Sequence, residues 1–164
     1  MALYVDADGA RGVLAHKFRG AAPDQLAKNQ QLFDELVAAE GVEKTLSLVM
    51  TSGLVKRENF LHALAERLEP PLKKARRCSS VAGDTTSLEL FKRLFDGVEF
   101  RKTLPLAFTA TRKGLVTQVD GKEVGVVPSK QFVRAFFDMY IGSDPVSKSA
   151  KDSFGKGLAS MVLA

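Results

Sequence analysis

The sequence is poor in the residue types on which many catalytic and metal sites depend. Among its 164 residues there are one cysteine, no tryptophan, two tyrosines and two histidines. The single Cys78 excludes an intramolecular disulfide and fits a reducing compartment. No spacing of cysteines, histidines and carboxylates predicts a metal site, and neither a P-loop nor a G-x-S-x-G motif is present. We therefore predict no metal, no cofactor and no motif-based catalytic residues.

Long apolar runs are also absent. No stretch approaches the roughly 20 apolar residues that a membrane-spanning helix needs. The N-terminus, Met-Ala-Leu-Tyr-Val-Asp, has neither the pattern of a secretory signal peptide nor that of an Arg- and Ser-rich transit peptide. On this interpretation the protein is cytosolic, or a leading segment is missing. The sequence leaves the oligomeric state open.

Positive charge is in modest excess, with 24 lysines and arginines against 19 aspartates and glutamates and a formal net charge of +5. This excess favours anionic partners. One compact cationic cluster, Lys-Lys-Ala-Arg-Arg, occupies residues 73–77. We interpret it as a solvated linker, because the alternative, a nucleic-acid contact, lacks interleaved aromatic residues. We predict no nucleic-acid partner.

Hydrophobic periodicity divides the chain into strands and helices within one domain, residues 1–164. Period-two alternation predicts strands at residues 3–5, 42–50, 104–111, 115–119 and 124–127. Period 3.6 predicts helices at residues 10–18, 23–39, 56–69, 86–97, 129–141 and 146–162. This order predicts an α+β fold with helices packed on one side of a largely antiparallel sheet.

Turn signals refine this pattern. Asp120-Gly121 predicts a tight hairpin between the last two strands, because a type I′ turn needs positive φ at both positions. The helix at 56–69 is expected to end or kink at Pro70-Pro71, since neither proline donates a backbone hydrogen bond. Residues 76–84 are expected to form a mobile loop, and Thr86 is expected to cap the helix that follows.

The helix at 129–141 is the most informative element. Its polar residues Lys130, Arg134 and Asp138 are spaced by four and form one narrow stripe, while apolar side chains cover the rest. Such a helix is buried on most sides. Two interpretations are open: a central core helix, or a helix whose aromatic surface also lines an apolar ligand pocket.

Four segments carry motifs in a fixed order. VDGKEVGVVPSKQFVRAFFDMYIGSDPVSKSAKDSFGKGLASMV, residues 119–162, contains a strand ending V-x-S-K, a buried helix ending D-x-Y-I-G, and then D-P-V-S. Upstream lie LYVDADGARGVLAHKFRG, VEKTLSLVM and FRKTLPLAFTAT. Together these segments resemble the chalcone isomerase family. The similarity is greatest to its non-catalytic, fatty-acid-binding chalcone isomerase-like branch.

The resemblance implies an open-faced β-sandwich with a ligand cleft between the sheet and a helical layer. Enzymes of that family cyclise a chalcone to a flavanone, whereas the binding branch uses a cation for the carboxylate and apolar walls for the tail. The family's key arginine lies on a strand before the point where this sequence starts. The domain is therefore expected to lack the family's N-terminal strands.

The resemblance also implies ligand-binding positions. The family's strand lysine falls at Ser47, its tyrosine at the start of the next helix falls near Asn59, and its polar pair falls near Val124 and Gly125. With these polar groups replaced, no catalytic residues are carried over. The full set of candidate ligand-binding residues adds the aromatic helix surface: Ser47, Asn59, Val124, Gly125, Phe132, Phe136 and Tyr140.

Three functional hypotheses follow from the sequence. The favoured one is a non-catalytic protein that binds a fatty acid or a similar apolar anion. The first alternative is an isomerase, an intramolecular lyase that acts on chalcone-like enones, and the second is a protein-interaction module without a small ligand. Relatives in the lipid-binding branch are typically plastid proteins, so the resemblance implies a plastid location although no transit peptide is present.

Overall fold

A computed structural model describes residues 1–78 and 84–164. The strands are β1 Ala2–Val5, β2 Lys44–Val49, β3 Pro105–Thr111, β4 Gly114–Val119 and β5 Lys122–Val127. The helices in the described residues are α1 Ala7–Leu14, α2 Pro23–Leu26, α3 Gln30–Ala38, α4 Arg57–Cys78, α5 Asp84–Arg93, α6 Lys130–Ile141 and α7 Lys148–Leu163. Within this part of the chain, no helix combines the length and apolar character that crossing a membrane requires.

The five strands form one open antiparallel sheet in the order β1-β2-β3-β4-β5. Asp120 and Gly121 have φ values of 54° and 76°, as the predicted β4–β5 hairpin requires. Along β2, Leu46 is buried whereas Ser47 is half-buried, so only one face of the sheet is fully covered. The predicted α+β fold with helices on one face of an antiparallel sheet is confirmed.

Helix α6 lies at the centre of the helical layer. Its Phe136 ring packs against Phe108 of β3 with centroids 4.8 Å apart, and Phe132 packs against Phe91 of α5 at 5.2 Å. The Ser129 side chain accepts a hydrogen bond from the Phe132 amide at 3.1 Å and caps the helix, as the sequence predicted. The predicted burial of α6 is therefore confirmed, and the interpretation that its aromatic surface also lines a ligand pocket stays a prediction.

Two helices differ from their predicted bounds because of contacts that periodicity does not report. The predicted helix at 23–39 is two helices, since the Asn29 side chain accepts from the Gln31 amide at 3.0 Å and starts α3 anew. Of the two predicted outcomes at Pro70-Pro71, an end of the helix is wrong, because α4 runs through both prolines to Cys78, and a kink there stays a prediction. Leu72, 4% exposed, anchors the second half of α4 in the core.

The segment between α4 and α5 also differs from expectation. Arg76 and Asp84, the ends of the predicted loop, lie within α4 and α5, while residues 79–83 lie outside the described residues. The predicted start at Thr86 is wrong, because α5 already begins at Asp84. The first helix occupies Ala7–Leu14 rather than 10–18, directly after β1.

Two glycines of α7 provide a matched test of how closely this helix packs on α2. A Cβ at Gly155 would lie 2.0 Å from the Ala27 carbonyl oxygen, whereas a Cβ at Gly157 would meet nothing within 4 Å. Gly155→Ala is expected to lower the free energy of unfolding by about 1–3 kcal/mol through overpacking. Gly157→Ala is expected to raise it by about 0.5–1 kcal/mol through helix propensity.

Urea denaturation followed by circular dichroism measures both changes. Equal effects of the two alanines would contradict the close contact between α7 and α2.

Candidate functional site

A cavity of about 300 Å³ opens at the end of the sheet where β2 begins and β3 ends. It lies between the C-terminal end of α3 and the first half of α6. Val37, Ala110 and Val133 form its apolar walls. Its volume is at the lower end of the range typical of small-molecule sites, roughly 300–1,000 Å³. We call it the cationic pocket, for the side chains Lys44, Arg112, Lys130 and Arg134 that line it together with Glu40.

Lys44 is the most deeply buried of these cations, at 2% exposure. Strand alternation points it to the helix-covered face with Leu46, and its Nζ donates to the carbonyl oxygens of Ala39 at 3.0 Å and Val42 at 3.4 Å. Burial, assisted by the charge of Arg134, lowers the pKa of Lys44 to about 8. Within the described residues no carboxylate lies within ion-pair distance of its ammonium group.

Among the described residues, Glu40 is the one carboxylate that lines the pocket. Its Oε2 accepts from Lys130 Nζ at 2.6 Å and its Oε1 from Arg134 Nη2 at 3.0 Å. The hydrogen bond from Lys130 is the main cause that lowers the pKa of Glu40. Both cations belong to the polar stripe of α6, so this part of the stripe faces the pocket, whereas Asp138 lines a different cavity beside α4.

Arg112 completes the rim from the turn between β3 and β4. Gly114 allows this turn, because its φ is 127° and an added Cβ would lie 2.1 Å from the Val127 carbonyl oxygen. Thr111 Oγ1 donates to the Gly114 carbonyl oxygen at 3.1 Å and fixes the turn. Arg112 is exposed and forms no ion pair in the described part of the chain. Four cations thus surround one carboxylate.

The predicted aromatic wall is fully packed. Phe132 and Phe136 have no exposed surface and Tyr140 is 4% exposed. The rings of Phe136 and Tyr140 lie 5.4 Å apart, and burial raises the pKa of Tyr140 above its usual range. Phe137 connects this cluster with the cationic pocket, because its ring lies 5.7 Å from Phe136 and 5.8 Å from Lys44 Nζ.

Of the other predicted site residues, Val124 packs against the core cluster that contains these rings, whereas Ser47 and Asn59 lie away from it. Val124 and Gly125 lie on β5, where Val124 packs on the core and Gly125 pairs with the buried Thr117 of β4. Ser47 lies on the opposite face of the sheet from Leu46, and Asn59 is exposed in the first turn of α4.

Sequence reasoning did not identify Lys44 or Glu40. A signal for Lys44 was present, since the alternation in VEKTLSLVM places it on the same face as Leu46 and Leu48, which are apolar. A lysine on the buried face of a strand is uncommon unless it is paired or functional. Glu40 gave no signal, because its partner Lys130 is 90 residues away along the chain.

The burial of Lys44 predicts a pH-dependent stability. The pKa of Lys44 is about 8 in the folded protein against its ordinary 10.5, so between these values the unfolded chain binds more protons and stability rises with pH. Relative to Lys44→Met, the wild-type free energy of unfolding is expected to increase by roughly 3 kcal/mol from about pH 7 to pH 10.5. A pH-independent difference in urea titrations would contradict this account.

Thr117 gives a second stability prediction. Its hydroxyl is buried and has no hydrogen-bond partner in the described residues. Thr117→Val is expected to raise the free energy of unfolding by about 1 kcal/mol, because it removes an unsatisfied polar group without changing the shape. Thr109→Val serves as control, since Thr109 Oγ1 is bonded to Thr45 Oγ1 at 2.8 Å, and it should bring no gain. Destabilisation by Thr117→Val in urea titrations would overturn this prediction.

Two curated proteins of Arabidopsis thaliana are similar to nearly the whole chain. Fatty-acid-binding protein 2 is 28% identical over 169 residues, which cover 97% of this chain and 39% of that protein. Fatty-acid-binding protein 1 is 24% identical over 161 residues, which cover 97% of this chain and 56% of that protein. The chain therefore spans about two fifths and just over half of their lengths.

The fold matches a solved structure. The crystal structure of the Arabidopsis thaliana fatty-acid binding protein AtFAP1 superimposes with a TM-score of 0.82 at 23% identity, over 99% of this chain and 78% of that chain. A family profile described as chalcone isomerase-like matches residues 25–154, most of the domain. From the five-stranded open sheet, its helical layer and this match, the chain belongs to the chalcone isomerase-like family.

Proposed function

We propose that this chain is a non-catalytic protein that binds a fatty acid or a similar apolar anion, with the anionic head in the cationic pocket. The observation that carries the proposal is Lys44, a buried ammonium group without a carboxylate partner in the described residues. Burying a charge without an opposite charge is costly, so its retention is better explained by a ligand than by stability. The similarity to proteins named as fatty-acid-binding supports the ligand class.

The head of the ligand has two strong donors available. The Arg134 guanidinium presents N–H groups in a planar fork that matches a carboxylate. Lys44 adds an N–H donor from the floor of the pocket. Hydrogen bonds to charged groups contribute about 1.5–3 kcal/mol each. Together these donors account for recognition of the acid group.

The apolar tail of the ligand would lie against apolar side chains that adjoin the cationic pocket. Val37 and Val133 line the pocket, and Phe137 lies beneath Lys44 at 5.8 Å. The cavity of about 300 Å³ is small for a long acyl chain, so Phe137 must turn aside for the chain to reach Phe136. In this proposal the aromatic wall of Phe132, Phe136 and Tyr140 is the far end of the site, and each buried methylene contributes roughly 0.8 kcal/mol.

The positions that would carry isomerase chemistry by resemblance do not converge on this pocket. Ser47 lies on the open face of the sheet and Asn59 is exposed on α4. A conjugate addition needs its positioning groups within hydrogen-bond reach of one substrate. This separation favours binding over catalysis.

Direct binding of oleate tests the proposal. The wild type is expected to co-purify with acyl chains and to release a fluorescent fatty acid when oleate is added. Arg134→Gln should weaken oleate binding roughly ten-fold, because a charge-assisted pair is lost. Arg19→Gln is the control, since it makes the same chemical change at an exposed residue that does not line the pocket.

Two results would contradict the proposal. If the wild type carries no acyl chains and oleate displaces no fluorescent fatty acid from it, the proposed function is wrong. If the wild type binds oleate but Arg134→Gln and Arg19→Gln bind it with equal affinity, the carboxylate of the ligand lies outside the cationic pocket.

A further inference from the structure

We infer that Glu40 is an internal competitor in the cationic pocket: its carboxylate holds Lys130 and Arg134 until an acid takes its place, and it thereby weakens the binding of acids but not that of neutral lipids. This inference rests on the proposed function, because it places the ligand's acid group in the same pocket and on Arg134, and it adds Lys130 as a donor. It goes further in naming the competitor that every acidic ligand has to displace.

The geometry supports an internal competitor. The two oxygens of one carboxylate contact two different cations, at 2.6 Å for Lys130 and 3.0 Å for Arg134. A fatty-acid carboxylate presents the same pair of oxygens to the same donors. Glu40 therefore occupies the position that the head of the ligand would take.

The Glu40 side chain is also placed so that it can turn away from Lys130 and Arg134 into solvent. It follows α3 in the short connection to β2, and its side chain is 44% exposed. A Cβ added to the neighbouring Gly41 would meet nothing within 4 Å, so this connection borders open space. Exposed ion pairs contribute little to stability, and their exchange for a ligand costs little.

Charged and neutral ligands differ in whether they can replace Glu40. An acid that replaces Glu40 leaves both cations paired, and Glu40 gains full hydration in solvent. An alcohol or ester of the same length has no charge to offer, so displacing Glu40 would leave Lys130 and Arg134 without a partner. A neutral lipid therefore has to bind with Glu40 in place.

The affinities of Glu40→Gln for oleate and for oleyl alcohol test this inference. Removing the competing charge is expected to tighten oleate binding roughly three- to ten-fold, while oleyl alcohol binding stays within about two-fold of the wild type. Glu43→Gln is the matched control, because Glu43 is exposed, carries the same charge and does not line the pocket. The increase in oleate affinity from wild type to Glu40→Gln should become smaller when the salt concentration rises from about 0.05 M to 0.5 M.

Each outcome decides the matter. If Glu40→Gln binds oleate no more tightly than Glu43→Gln, Glu40 is not a competitor, although the wild type still binds fatty acid. If both oleate and oleyl alcohol bind more tightly, the change opens the pocket without selecting charge, and the inference is wrong. If the wild type does not bind oleate, the proposed function fails and the inference fails with it.

Discussion

The contact between Phe136 of α6 and Phe108 of β3, with ring centroids 4.8 Å apart, joins the helical layer to the sheet. Phe91 of α5 packs on Phe108 and on Phe132, so a second helix is held by the same aromatic group. Once α6 lies in this position, the first two residues of its polar stripe, Lys130 and Arg134, line the cavity at the end of the sheet, whereas Asp138 lies beside α4. Burial of the apolar side of α6 thus places Lys130 and Arg134 beside Lys44.

Burial of the Lys44 ammonium group lowers the stability of this fold. Its ammonium group is buried with two carbonyl acceptors near the C-terminal end of α3, where the helix dipole favours a positive charge. These contacts reduce the cost of burial but leave the pKa lowered. A methionine would fill the same space without that cost. In the proposed function, binding of an anion offsets the cost of burying Lys44.

The sequence predicted the order of elements, the β4–β5 hairpin and the burial of α6, because alternation, turn residues and helical spacing are local signals. It did not predict that α4 continues past Pro70-Pro71, since packing of Leu72 overrides the lost hydrogen bonds. The pocket depends on tertiary packing, which brings together residues as distant as Glu40 in the α3–β2 connection and Lys130 of α6. Family resemblance pointed to Ser47, yet the alternation of β2 turns Ser47 away from Lys44 and Leu46.

A crystal structure of the protein with bound oleate tests the central claim most directly. The oleate carboxylate is expected within hydrogen-bond distance of the Arg134 guanidinium, of Lys130 Nζ and of Lys44 Nζ, with Glu40 turned out to solvent and Phe137 in a new rotamer. A carboxylate bound elsewhere, for example beside Thr117 and Gly125 or on the open face near Ser47, would contradict it. In that case the cations at the end of the sheet would need another explanation.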